Sequence, residues 1–179
     1  MNTDDTDKKK QMEITRTKMG LTIPFQPIGI IHSPYTSLED MPIQPAGAEG
    51  VQGMVEIFPE FVEGLTDLEG FSHIYLLYHL HRSEGFKLTV IPFMDTQPHG
   101  VFATRAPRRP NPIGLSVVRL VRREHHILYI ENVDMLDGTP LLDIKPYVPE
   151  FDDHPAERFG WLEGVKGKIK RTRSDDRFV

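Results

Sequence analysis

The chain has 179 residues, of which 39% are hydrophobic and 26% are charged, and its formal net charge is −5 at pH 7. This length fits one domain with tails, and such a chain buries about two-thirds of its unfolded surface without needing a covalent staple. It has no cysteine, which excludes a disulfide scaffold, a thiol nucleophile and any cysteine-ligated zinc or iron–sulfur site.

The predicted elements are mostly short strands separated by turns. The 15 prolines and 14 glycines argue against a helical bundle. Apolar and alternating segments predict strands over residues 26–32, 51–58, 71–81, 87–94, 114–123, 126–133 and 141–147, the fifth and sixth forming a hairpin. Helical turns are predicted at 59–68 and 156–162. Six or seven strands with little helix predict a mainly β fold, a single closed or nearly closed barrel with one or two short helices and flexible termini.

Composition divides the chain into three parts. Residues 1–22 are polar and charged, which predicts a disordered N-terminal tail. Residues 23–153 hold the predicted barrel domain. Residues 154–179 form a C-terminal extension with a short helix and a basic tail. This tail either binds phosphates electrostatically or is a solvated end.

Several familiar catalytic and nucleotide-binding motifs are absent from the sequence. It contains no GxGxxG, no Walker loop and no GxSxG elbow. These absences argue against a Rossmann sheet, a P-loop fold and an α/β-hydrolase.

His79 and His81 are two residues apart, so they share one face if the strand continues through both. Three interpretations remain open for this pair. The histidines ligate a metal ion, or one faces the barrel and the other faces solvent, or His81 lines a pocket for an organic ligand.

Residues 103–116 read ATRAPRRPNPIGLS and place Arg105, Arg108 and Arg109 among three prolines. Proline fixes the backbone, and each guanidinium offers a forked set of donors. The segment therefore predicts a rigid loop that receives an anion. The alternative is that the arginines are solvated and the prolines only turn the chain.

Residues 134–140 read DMLDGTP and predict a turn at Asp137 and Gly138. The carboxylates of Asp134 and Asp137 could accept hydrogen bonds from a ribose diol or an ammonium group, or they only stabilise their own turn. Asp143 and Lys145 share a strand face as an ion pair or a catalytic couple. Together with the arginine loop, these features suit a small zwitterionic or nucleotide-like ligand, but they name no reaction.

Four segments together resemble the TsaA-like family over residues 26–153. They are IGIIHSPY (28–35), LEGFSHIYLLYHLHR (68–82), GVFATRAPRRPNPIGLS (100–116) and DMLDGTPLLDIKPYVP (134–149). The resemblance implies a β-barrel methyltransferase that uses S-adenosylmethionine and methylates N6 of threonylcarbamoyladenosine in the tRNA anticodon loop. It also implies a cytoplasmic homodimer with the cofactor near the subunit interface.

The resemblance also assigns site residues. The cofactor-binding residues it implies are Gln44, Pro45, Ala46, His81, Arg82, Arg105, Leu115, Leu136, Asp137, Gly138 and Thr139. Arg108, Arg109 and Asn111 are the expected substrate-binding residues, and no metal is expected. The candidates for a general base are Asp137, Asp143 and Tyr147.

Two other functions stay open, and one departure from the family bears on the substrate. The chain could be a non-catalytic regulatory barrel that binds S-adenosylmethionine or a nucleoside, or a metal-dependent barrel enzyme using His79 and His81. Longer bacterial members carry an additional C-terminal domain, so this protein is expected to hold tRNA through other surface or to use another substrate. No apolar run approaches the about 20 residues of a membrane helix, and no secretory signal is expected.

Overall fold

A computed structural model of the protein describes residues 23–39, 41–42, 47–165 and 174. The strands are β1 Gly29–His32, β2 Gln52–Ile57, β3 His73–His79, β4 Thr89–Val90, β5 His99–Gly100, β6 Ile113–Glu124, β7 Ile127–Glu131 and β8 Thr139–Pro146. One short α-helix, α1, spans Pro149–Asp152, and 3₁₀ helices span Pro59–Leu65, Leu68–Gly70, Val101–Ala103 and Gly160–Val165.

Six of the strands form a closed antiparallel barrel in the order β1–β2–β7–β6–β3–β8. The barrel closes where β8 pairs with β1, with Gly29 opposite Leu141 and Ile31 opposite Thr139. Closure leaves no unpaired strand edge in the barrel. The prediction of a mainly β fold with a closed barrel is therefore confirmed.

The barrel core follows from the two-residue period of its strands. Along β3, Ile74, Leu76 and Tyr78 are buried, and the residues between them are only partly buried. Position 53 in β2 requires glycine, because a Cβ there would lie 2.6 Å from the His32 carbonyl oxygen. The fully buried side chains that fill the interior include Ile31, Val55, Ile57, Val118, Leu128, Ile130, Val133 and Leu141.

The predicted hairpin over 114–123 and 126–133 is confirmed as β6 and β7. Its turn lies one residue later than the sequence indicates, at His125 and His126. His125 has a φ of 55°, so it turns the chain in the left-handed region.

Two predictions about local structure are wrong, and one short helix was not predicted. The segment 87–94 forms only the two-residue strand β4, which pairs with β5 in a separate small sheet. Pro92 follows closely and has no N–H for a ladder, so a longer strand is not supported there. The helix predicted at 156–162 is the 3₁₀ helix Gly160–Val165, and α1 was not predicted.

The predictions for the two ends of the chain concern residues that lie largely outside the described ones. These are the predicted disordered tail, residues 1–22, and the basic tail from 166 onward except Ser174. Within the part of the chain that the structure describes, no helix is long and apolar enough to cross a membrane.

Candidate functional site

A cavity of about 640 Å³ opens at one end of the barrel. Its floor is made where β3 ends and where β6 and β8 begin, because Tyr78, Gly114 and Thr139 all line it. The loop 102–109 and the segment 134–136 form further walls. Strand pairing thus brings the four sequence motifs to the same end of the barrel.

The arginine loop is held by hydrogen bonds within itself. The Thr104 hydroxyl donates to the Val101 carbonyl at 2.9 Å and accepts from the Ala106 N–H at 3.2 Å. The Arg109 guanidinium donates to the carbonyls of Val101 and Thr104 at 3.0 and 2.9 Å. It also lies 5.7 Å from the centre of the Phe102 ring. Both hydrogen bonds come from Nη1, so Arg109 is anchored to its own loop through one end of its guanidinium.

Arg82 and Arg105 differ from Arg109 in this respect. Both are exposed and line the cavity. Neither makes a hydrogen bond or a salt bridge to any other residue that the structure describes. Their guanidinium groups therefore keep their donors available for an anionic ligand.

Two side chains that line the cavity, Tyr78 and Asp134, are joined by hydrogen bonds through the buried Ser116. The Ser116 hydroxyl donates to Asp134 Oδ1 at 2.7 Å, and it lies 3.1 Å from the Tyr78 hydroxyl. Gly114 makes room for this arrangement, because a Cβ there would lie 2.1 Å from the Tyr78 ring. Gly114 is thus required by packing beside the site.

Burial raises the pKa of both Asp134 and Tyr78, the two residues that Ser116 connects. Removal from water raises the pKa of Asp134 to about 6, and the Ser116 hydrogen bond and the Arg105 charge oppose that rise. Burial also raises the pKa of Tyr78 well above its usual value, helped by the Asp134 charge. Tyr78 therefore stays neutral near pH 7, whereas Asp134 changes charge in the range where enzymes work.

Asp137 holds the turn in place and is not among the residues that line the cavity. Its Oδ1 accepts a hydrogen bond from the Ser33 N–H at 3.2 Å and lies 3.3 Å from His32 Nδ1. The Asp137 N–H donates to the Tyr35 carbonyl at 2.7 Å. The turn thus docks on the SPY segment, which is distant in sequence.

His81 and His79 do not act as a pair. β3 ends at His79, whose side chain is exposed, and His81 follows the strand and lines the cavity. Burial, with the nearby Arg82, lowers the pKa of His81. Its Nδ1 lies 3.5 Å from the Thr139 hydroxyl. The described residues contain no group of three or more histidine, aspartate or glutamate side chains that could hold a metal ion.

The structure divides the expected site residues into three groups. Those that line the cavity are His81, Arg82, Arg105, Arg109, Leu115, Leu136 and Thr139. Those that lie outside its lining are Arg108, Asn111, Asp137, Gly138, Asp143 and Tyr147. Gln44, Pro45 and Ala46 lie outside the described residues.

The positions of Asp143 and Tyr147 explain why they are absent from the lining. Asp143 forms an exposed ion pair with Lys145 at 2.7 Å. Tyr147 packs edge-on against the rings of His73 and Tyr75. Tyr147 lies beside His73 at the end of β3 away from the cavity. Asp143 is opposite Leu77, closer to the cavity end, but its side chain pairs with Lys145 in solvent.

Sequence reasoning missed a wall that comes from the C-terminal extension. Trp161, the single tryptophan of the chain, lines the cavity and donates from Nε1 to the Ala103 carbonyl at 2.8 Å. Its ring stacks on His99 at 4.8 Å. Ser174 also lines the cavity, and its hydroxyl accepts from the Met41 N–H at 3.0 Å. A lone tryptophan in a polar segment was the available signal.

Comparison with known proteins identifies the family of the chain. The family model of the tRNA-methyltransferase O N-terminal domain matches residues 30–153. A protein of Pyrococcus abyssi named "Probable S-adenosyl-L-methionine-binding protein" is 60% identical over 158 residues, which cover 88% of this chain and 86% of that protein.

Two further relatives are longer than the matched region. The Escherichia coli tRNA (adenine(37)-N6)-methyltransferase is 36% identical over 141 residues, covering 73% of this chain and 60% of the enzyme. The crystal structure of TrmO from Pseudomonas aeruginosa superposes with a TM-score of 0.66 at 42% identity, covering 79% of this chain and 63% of that one. The chain thus spans about three-fifths of these two proteins. Because the family model covers most of its length and every element of its barrel, the chain belongs to the family of the tRNA-methyltransferase O N-terminal domain.

Proposed function

We propose that this protein transfers a methyl group from S-adenosylmethionine to tRNA, at N6 of threonylcarbamoyladenosine in the anticodon loop. Family membership supports the reaction class, and the E. coli relative is named for methylation of adenine 37 at N6. The observation that carries the proposal is the cavity at the barrel end, which is lined by residues from the motifs of the family.

The cavity has the size and chemistry that suit S-adenosylmethionine. Its volume of about 640 Å³ lies within the usual range for small-molecule sites. Leu80, Phe93 and Leu136 offer apolar surface for the adenine ring. Asp134 supplies negative charge for a cationic donor, and Arg105 supplies positive charge for its carboxylate. When bound, the donor supplies a methyl group on a sulfonium, whose loss leaves a neutral thioether.

The protein's own contribution is to align the acceptor and to exclude water, which is where most of the rate gain in such a transfer arises. Arg82 lines the cavity and has no hydrogen-bond or ion-pair partner among the described residues, so it is the residue we assign to the carboxylate of the threonyl group or to an RNA phosphate. Arg109 was expected in that role, but its Nη1 is bound to two carbonyls of its own loop, which leaves it fewer available donors than Arg82.

The same proposal includes a homodimer in the cytoplasm. Two apolar side chains of β6 are exposed beside the cavity, Ile113 at 39% and Leu115 at 50%, and both line it. A second copy packed on them would remove apolar surface from water and would cover part of the cavity mouth. Light scattering of wild type and Leu115→Asp tests this, and a wild type that stays monomeric at micromolar concentration contradicts it.

Transfer of labelled methyl groups tests the reaction itself. The protein is incubated with methyl-labelled S-adenosylmethionine and with tRNA that contains threonylcarbamoyladenosine, and the nucleosides are then identified by mass spectrometry. We expect one added methyl group on the hypermodified adenosine. Donor binding measured by calorimetry without transfer to any tRNA would instead indicate the non-catalytic binding barrel, and neither binding nor transfer would remove the proposal altogether.

A further inference from the structure

Asp134 is the sole carboxylate that lines the cavity among the described residues. Its Oδ1 accepts the Ser116 hydroxyl at 2.7 Å, which fixes the orientation of the carboxyl group. Its Oδ2 accepts no hydrogen bond from another residue in the part of the chain that the structure describes. Ser116 therefore holds one oxygen in place, and the carboxylate, which also interacts with its own backbone N–H, keeps acceptor capacity for a proton from a ligand.

Few other side chains that line the cavity could accept a proton from a ligand. The other ionisable side chains that line the cavity are Tyr78, His81, Arg82, Arg105 and Arg109. The arginines stay charged, and Tyr78 stays protonated because burial raises its pKa. His81 is neutral near pH 7 because burial lowers its pKa, so it is the one alternative proton acceptor. Its Nδ1 lies 3.5 Å from the Thr139 hydroxyl, and the His79 backbone also forms a hydrogen bond with its side chain, so a His81 variant is included in the test.

We propose that Asp134 is the catalytic base of the methyl transfer, with Ser116 and Tyr78 as its positioning residues. The inference rests on the proposed function. As N6 forms its bond to the methyl carbon, the carbon–sulfur bond breaks and its electron pair goes to sulfur. The N6 proton passes to the Asp134 carboxylate and then to water. Charge balances, because the sulfonium and the carboxylate are both neutralised.

The raised pKa of Asp134, about 6, suits a base that must be ionised near pH 7 and still bind a proton well. Desolvation by the cavity walls is its first cause, so the same burial that excludes water also makes the carboxylate more basic. The Ser116 hydrogen bond opposes this rise. Substitution of Ser116 should therefore change the pKa of the base without removing a group that touches the substrate.

The test compares Asp134→Asn with a matched change elsewhere. Asp67→Asn is the control, because Asp67 is exposed, lies outside the cavity lining and has a φ of 66° that asparagine also accepts. Single-turnover methylation at saturating donor and tRNA is measured between about pH 5 and pH 9. We expect Asp134→Asn to lose about 100-fold or more in rate and to lose the acidic limb near pH 6, with Asp67→Asn unchanged.

Ser116→Ala tests the positioning role by a readout that packing alone does not change. Loss of the Ser116 hydrogen bond should move the acidic limb of the rate to higher pH. The carboxyl carbon of Asp134, followed by NMR without donor or tRNA, should titrate near 6 in the wild type and at higher pH in Ser116→Ala. A carbon that titrates near 4 would overturn the proposal.

The outcomes separate this inference from the function on which it rests. If the wild type neither binds donor nor transfers methyl groups, the proposed function fails. If the wild type is active but Asp134→Asn keeps its saturated rate and its acidic limb, only the inference fails. Weaker donor binding with an unchanged saturated rate also overturns it, as does an acidic limb that vanishes in His81→Gln instead.

Discussion

Asp134→Asn is also expected to make the protein more stable, and the structure gives the size of the effect. Burial raises the pKa of Asp134 from its ordinary 3.8 to about 6. Each pKa unit corresponds to about 1.4 kcal/mol, so keeping this carboxylate charged in the folded state costs about 3 kcal/mol. Asparagine has nearly the same shape and can still accept the Ser116 hydrogen bond, but it carries no charge.

The sign of the pH dependence follows from which state binds the proton. Between about pH 4 and pH 6 the folded protein holds a proton on Asp134 that the unfolded chain has lost. Stability from this group is therefore highest below about pH 4, falls as the pH rises to about 6 and stays reduced above it. The variant lacks this loss, so its advantage should be near zero at pH 4 and about 3 kcal/mol at pH 8.

Urea unfolding of both proteins across this pH range measures the difference, since other groups titrate alike in each and cancel. Asp67→Asn, an exposed substitution of the same kind, should change the free energy of unfolding only slightly. A difference between Asp134→Asn and the wild type that is flat with pH would refute the reasoning, because it would mean that burial does not raise the pKa of Asp134. A more stable but less active variant is the expected pattern at a catalytic site.

Three other predictions concern the same cavity. Gly114→Ala should lower the free energy of unfolding by about 1–3 kcal/mol in urea titrations, because its Cβ would lie 2.1 Å from the Tyr78 ring; full stability would show that the ring moves freely. S-adenosylmethionine should change the fluorescence of Trp161, which lines the cavity, and an emission spectrum unchanged at saturation would place the donor elsewhere. Arg105→Ala should weaken donor or tRNA binding about tenfold or more, as expected for a lost charge-assisted hydrogen bond, with little change in Tm. The control Arg119→Ala removes an exposed ion pair with Glu131 and should leave binding intact. A large fall in Tm for Arg105→Ala would mark that arginine as structural.

Local patterns in the sequence predicted most of the barrel. β3 and the β6–β7 hairpin were recognisable because strands that face a core repeat every two residues, whatever lies across from them. The short sheet of Thr89–Val90 and His99–Gly100 was not, because its pairing depends on the loop between the strands. Closure was expected only from the number of strands, and the pairing of β8 with β1 decided it.

Part of the candidate site was likewise predictable from local sequence, and part depended on tertiary contacts. The motifs identified Arg105, His81 and Thr139, which line the cavity, through residue type and family resemblance. They also favoured Asp137 over Asp134 as the base, and these two carboxylates stand only three residues apart in one turn. The structure separates them through different partners. Ser33, 104 positions away in sequence, holds Asp137, whereas Ser116, 18 positions away, holds Asp134.

The sequence by itself determined the strands, the turns and the residue types available for chemistry, because these depend on near neighbours. Only the tertiary structure decided which charged groups keep their donors and acceptors free. Arg109 binds two carbonyls of its own loop through Nη1, and Asp134 is held by Ser116 of β6 beside the cavity. Burial and hydrogen bonding set the charge of a side chain, and both are properties of the assembled fold.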